Sequence, residues 1–163
     1  MKNSPASSLR YLLKPTCAFL ATLILIPAAA AQSHSSLSAD DLAEIHNLYA
    51  FYNLELDSGN SRAWANTFTD DGSFNTSVGR QALIASADNW SASNPNTRHW
   101  NSNIHITPTA DGAAGIAYLM LWNVGVPPAE VVLTGSYADE LVKTPNGWRF
   151  KARRVQVDRP ANP

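Results

Sequence analysis

The periodicity of this chain changes once, near residue 97, and that change does most to limit what it can fold into. Downstream, residues 97–107, 113–124, 130–143 and 148–158 read as four long strands. They are separated by Pro108-Thr109-Ala110-Asp111-Gly112, by residues 125–129, and by Thr144-Pro145-Asn146-Gly147, in which Pro145-Asn146-Gly147 is the clearest hairpin signal. Upstream, Leu42, Ile45, Leu48, Tyr49, Tyr52 and Leu56 recur at helical spacing. Ser38, with Leu37 before it and Asp41 three residues on, has the pattern of a capping box, and Gly59 is a left-handed terminator. A second short helix is expected over 61–68, a turn at Thr69-Asp70-Asp71-Gly72, a short strand over 73–76 and a third helix over 79–89. Helices first and a meander of strands afterwards argue for an α+β fold: a curved antiparallel or mixed sheet wrapped around N-terminal helices. A half-closed sheet of this kind leaves a cone, whose mouth is a natural ligand site.

The first residues read as a targeting segment. Lys2, Arg10 and Lys14 precede the short apolar run CAFLATLILIP (17–27), and Ala28–Ala31 supply small residues for cleavage before Gln32. The expected organisation is a signal peptide (1–31), a flexible leader (32–36), one domain (37–159) and a short tail (160–163), with the mature protein periplasmic or secreted and free of membrane. The single cysteine, Cys17, lies in the targeting segment, so no disulfide staples the mature chain. Stability must come from one packed core of ordinary size. Removing the three basic residues of the leader from the twelve Lys/Arg leaves nine against thirteen Asp/Glu, a net of −4. That balance disfavours nucleic-acid binding, which depends on phosphate neutralisation.

Three side chains carry the chemistry that the sequence offers. Tyr52 and Asp57 close the first helical segment, and His99 opens the strand-rich half. Imidazole titrates near neutral pH and serves as acid or base. Asp57 would fix its tautomer, unless it merely caps the turn at Ser58 and Gly59. Tyr52 would donate a hydrogen bond to an oxygen on which charge develops, unless it is a core tyrosine. Tyr49 and Trp122 are further candidates for ligand contact, with packing as the alternative for each. No metal is expected: a pair made of His99 and His105, taken to share a strand face, would be separated by about 20 Å of strand. Neither a nucleophile elbow nor a phosphate-cradling loop is found.

The ordered set Tyr52-x4-Asp57-x-Gly59, Trp64-x3-Phe68-Thr69-x-Asp71-Gly72, Gly79-Arg80, Arg98-His99-x3-Asn103, Gly135-x-Tyr137-x-Asp139, Gly147-Trp148-Arg149-Phe150 and Arg153 resembles the SnoaL-like domains. These belong to the nuclear transport factor 2 superfamily, and the branch of scytalone dehydratase and bile-acid dehydratase is nearest. The resemblance spans residues 37–158. It implies a cone-shaped α+β fold, Tyr52, Asp57 and His99 facing the cavity as catalytic residues, and Arg153 and Tyr137 at the pocket. The 113–124 stretch departs from the pattern: it offers Tyr118, Trp122 and Asn123, but no histidine or carboxylate where relatives carry one. The expected activity is that of a cofactor-free dehydratase or isomerase acting on a small, mostly apolar or cyclic hydroxy-carbonyl compound. The alternatives are a non-catalytic exported binding domain and an oligomeric interaction domain. A homo-oligomer, dimer or trimer, is expected in either case.

Overall fold

The computed structural model describes residues 36–159; the expected signal peptide, most of the leader and the tail lie outside the described residues. The chain runs α1 (Ala39–Asp57), α2 (Ser61–Ala65), β1 (Phe68–Phe74), β2 (Ser77–Val78), α3 (Arg80–Ser93), β3 (Thr97–Pro108), β4 (Ala113–Asn123), β5 (Glu130–Thr144) and β6 (Gly147–Val157). No helix among the described residues is long and apolar enough to cross a membrane.

Helix α1 starts where the capping box predicts. Ser38 Oγ accepts the Asp41 N–H at 3.0 Å, and the Asp41 carboxylate accepts the Ser38 N–H at 3.1 Å. The same carboxylate takes the Lys143 ammonium at 2.6 Å and the Trp148 indole N–H at 2.9 Å, while Glu44 accepts the Trp148 backbone N–H at 2.8 Å. These bonds pin the start of the helix to the β5–β6 hairpin. Ile45, Leu48, Tyr49, Tyr52 and Leu56 form the buried stripe. Gly59, at φ +72°, ends the helix in the left-handed region.

The sheet has the order β2-β1-β6-β5-β4-β3, antiparallel throughout except for the parallel β1–β6 pair. On β4, Ala113, Gly115, Ala117, Leu119 and Leu121 face the helices, and small residues let α1 approach closely. A Cβ on Gly115 would sit 2.3 Å from the Tyr49 hydroxyl, so only glycine fits there.

Local expectations fail at two bulges and at two helix ends. Helix α2 is shorter than expected, and the Thr69–Gly72 run lies inside β1 rather than forming a separate turn. From Phe68 to Ser73, β1 advances five residues while β6 advances two, from Phe150 to Ala152. Turn-forming residues have made a bulge within a strand. On β3, the register shifts between Ser102 and His105, where Asn103 adopts φ +52°. The extra residue reverses the alternation, so His105 pairs with Ile116 on the outer face and does not share the face of His99. Helix α3 also runs past its expected end at residue 89.

Candidate active site

Asp57 is the last residue of α1, where the helix dipole disfavours a carboxylate, and the last turn carries no basic residue. Its compensation comes from β3. The Asp57 Oδ1 atom lies 2.6 Å from Nδ1 of His99, and Oδ2 accepts the His99 backbone N–H at 3.0 Å. That N–H is available because β3 is an edge strand. Asp57 therefore holds the histidine by ring and backbone together and is not a cap for the Ser58–Gly59 turn. The two side chains are 10% and 5% exposed, which strengthens the interaction relative to a surface pair. Trp90 of α3 covers the imidazole, with ring centroids 5.7 Å apart. With Nδ1 engaged, Nε2 is the ring nitrogen left for chemistry.

His99 lies in the wall of a cavity of about 420 Å³ between the helices and the concave face of the sheet. Leu56, Trp64, Trp90, Leu119, Leu121 and Val155 supply its mostly apolar lining, and the Tyr52 and Tyr137 side chains join His99 on its wall. This size and character suit a small organic molecule. Asp57 stands behind the imidazole and does not line the cavity. Among the described residues no group of three or more histidines, cysteines or carboxylates is placed to hold a metal ion.

Behind the tyrosines lies a second buried network. Arg153 pairs with Asp139 through Nε–Oδ1 at 2.8 Å and Nη2–Oδ2 at 2.7 Å, both side chains being fully buried. The Tyr49 hydroxyl donates to the same carboxylate. The Arg153 guanidinium carbon lies 3.9–4.6 Å from the ring centroids of Tyr49, Tyr52, Tyr137 and Phe150. Burial opposes the guanidinium charge, but the Asp139 carboxylate more than offsets it and raises the pKa above its ordinary value.

The expected ligand contacts therefore divide. Tyr137 lines the cavity; Tyr49, Arg153 and Trp122 do not. Tyr49 is spent on Asp139, and Arg153 sits one layer further in. Trp122 is on the outer face of the sheet, edge-on to Trp100 at 5.9 Å, because β4 alternates and its inward positions are odd-numbered. Among the cavity residues outside the expected site are the two tryptophans Trp90 and Trp64. Trp90 lies beyond the expected helix end, and Trp64 lies on the short helix α2.

Burial pushes the Tyr52 hydroxyl up to about 12, the nearby Arg153 charge working the other way. Burial likewise raises Tyr49, with the Asp139 charge adding to it, and raises Tyr137 well above the ordinary value. All three are therefore hydrogen-bond donors at neutral pH. The native fold keeps these protons while an unfolded chain loses them above about pH 10. Stability is thus fully present below that pH and falls as pH rises through the native values. Each tyrosine contributes a slope of about 1.4 kcal/mol per pH unit across its window. Thermal unfolding between pH 8 and 12 is expected to show a flat melting temperature that drops steeply above about pH 10. A flat profile through that range would mean that the three phenols are not buried together.

The profile described as a SnoaL-like domain matches residues 38–154. The chain belongs to the SnoaL-like domain family. Solved structures of similar fold include a Mycobacterium tuberculosis protein of unknown function, 27% identical over 74% of this chain and 73% of its own, with a TM-score of 0.68. A Nostoc punctiforme protein of unknown function with a cystatin-like fold is 25% identical over 79% of this chain and 98% of its own, with a TM-score of 0.71. A proposed scytalone dehydratase from Novosphingobium aromaticivorans is 23% identical over 74% of this chain and 85% of its own, with a TM-score of 0.64. No curated protein matches the chain. The SnoaL-like assignment and the curved α+β architecture are those the motif order implies.

Proposed function

We propose that this SnoaL-like protein is a cofactor-independent lyase or isomerase for a small, mostly apolar hydroxy-carbonyl compound. The observation that carries the reading is the Asp57–His99 pair: a 2.6 Å contact to Nδ1 that leaves Nε2 of a cavity-wall imidazole as the base. Nε2 removes a proton from the carbon beside the carbonyl. Asp57 steadies the imidazolium that results, and the Tyr52 hydroxyl donates to the oxygen as it gains enolate character. In elimination the enolate collapses, the β-carbon–oxygen bond breaks, and imidazolium returns its proton to the departing hydroxide, giving water and an enone. In isomerisation the same proton returns to a different carbon. Neither route consumes a redox equivalent, so no cofactor enters the proposal. The test is conversion of a cyclic β-hydroxy ketone to its enone, followed by absorbance, together with deuterium wash-in at the α-carbon. Absence of both in the folded protein overturns the reading.

The leader-like pattern of residues 1–31 supports export to the periplasm or beyond as part of the same proposal. The outer sheet face supports assembly as a dimer or trimer: Trp100, Ile116, Tyr118 and Met120 are exposed side by side on paired strands. Light scattering of the purified domain is expected to give a multiple of the monomer mass, and Trp100→Glu with Tyr118→Glu is expected to return it to monomer.

A further inference from the structure

The cavity wall has two sides of different character. The sheet contributes Leu119, Leu121, Leu133 and Val155, all apolar. The other side carries neutral polar groups: Ser86, Asn89 and Ser93 recur at the spacing of one face of α3, and Asn75 joins them from the β1–β2 turn. Among the described residues no aspartate, glutamate, lysine or arginine lines the cavity.

Asn75 is the most firmly set of these polar side chains. It sits at φ +51°, a left-handed conformation that asparagine tolerates better than most residues. Its backbone N–H donates to the Arg153 carbonyl at 2.9 Å, and its side-chain oxygen accepts the Val155 N–H at 3.0 Å. A backbone N–H only donates, so the amide is held with Oδ1 against β6, and Nδ2 is left to donate elsewhere. Nδ2 has no partner among the described residues, and Asn75 is exposed where it lines the cavity. The donor is thus fixed before any ligand arrives, and little side-chain freedom is lost on binding.

Asn75 and His99 stand on opposite sides of the cavity. In the sheet, β6, β5 and β4 separate β1, which Asn75 follows, from β3, which carries His99. A ligand whose reacting carbon lies at Nε2 of His99 therefore meets Asn75 at its far end. The donor decides what that end must carry. An amide N–H needs an acceptor, which a hydrocarbon lacks. A carboxylate accepts, but Arg153 is already paired with Asp139, and His99 with Asp57, so an anion would lose hydration with no counter-charge in return. A hydroxyl or ether oxygen accepts and is neutral.

We propose that Asn75 is a specificity-determining residue that selects a ligand with a neutral hydroxyl or ether oxygen at the end remote from the reacting carbon. The inference rests on the proposed function in taking His99 as the reacting end, and it adds a second point of recognition.

The test is calorimetric titration with 6-substituted 1-tetralones, whose substituent lies far from the ketone. The 6-methoxy and 6-ethyl compounds have nearly the same shape and differ by one oxygen. The wild-type protein is expected to bind the 6-methoxy ketone several-fold more tightly than the 6-ethyl ketone. The 6-carboxy ketone is expected to bind at least about tenfold more weakly than the 6-methoxy. Asn75→Asp keeps an oxygen for the Val155 N–H and replaces the donor by an acceptor. It is expected to abolish or reverse the methoxy preference. The 6-hydroxy ketone, whose own hydrogen then donates to the carboxylate, is expected to stay within about threefold of its wild-type affinity. A merely structural role for Asn75 would weaken the three neutral ketones alike. Circular dichroism checks that the variant is folded, and the wild-type series stands independently of it. Equal affinity for the methoxy and ethyl compounds in the wild-type protein, an order unchanged in Asn75→Asp, or no saturable binding overturns the inference. His99→Ala is expected to keep the methoxy preference and lose α-deuterium exchange. Methoxy preference without exchange in the wild-type protein sinks the proposed reaction and keeps this site, whereas exchange without preference does the reverse.

Discussion

Replacing Asp139 by alanine is expected to lower folding stability by about 3–5 kcal/mol, enough to unfold a large fraction of molecules in a domain whose total is about 5–15 kcal/mol. Asp139 and Arg153 are both 0% exposed at their side chains and joined by two hydrogen bonds. Removing the carboxylate strands a guanidinium among four aromatic rings and also takes away the acceptor of the Tyr49 hydroxyl. The rings offer attraction through their faces, but cation–π contacts of about 0.5–2 kcal/mol do not replace a bidentate carboxylate. A control lies one residue away. Glu140 meets Arg154 at 3.9 Å with both side chains more than half exposed, so Glu140→Ala is expected to change stability by less than about 0.5 kcal/mol. Urea unfolding of the two variants measures the contrast. If Asp139→Ala stays within about 1 kcal/mol of the parent protein, the buried pair is not holding the fold.

That network shows what sequence reading captures and what escapes it. The switch from helical to strand periodicity, the stripe of α1 and the Thr144–Gly147 hairpin all depend on neighbours along the chain, and such patterns are legible without coordinates. The Asp139–Arg153 pair joins adjacent strands, and its signal was present: Gly135, Tyr137, Asp139 and Leu141 alternate inward, so a carboxylate in that series had to be buried and had to have a partner. Trp122 was assignable by the same rule, being out of phase with Leu119 and Leu121. Bulges are different. A single inserted residue on β3 turned His105 away from the face of His99, and no count of strand residues reveals it. The site itself also depends on long-range packing. Tyr52 and Asp57 are five residues apart, about 140° around a helix, so they face different walls. His99 links the two walls in space, meeting Asp57 behind and the cavity in front.

On the proposed mechanism, Asp57→Asn is expected to be as damaging to turnover as His99→Ala, with a loss of about 10²–10⁴-fold for each. The histidine substitution removes the base outright. The asparagine acts through the tautomer. In the native pair one carboxylate oxygen takes the fixed backbone N–H of His99 and the other takes Nδ1. An amide has a single oxygen, and the backbone N–H accepts no alternative arrangement. The amide oxygen therefore stays with the backbone, and the NH₂ group turns to Nδ1. A donor facing Nδ1 makes that nitrogen the acceptor and places the ring proton on Nε2, the atom that must be empty to receive a proton from substrate. Nitrogen-15 chemical shifts of the His99 ring are expected to report the Nδ1–H tautomer in the parent protein and the Nε2–H tautomer in Asp57→Asn, with the melting temperature little changed. Enone formation and α-deuterium exchange fall together with the tautomer switch. A variant that switches tautomer yet exchanges protons within tenfold of the parent would show that Nε2 is not the base.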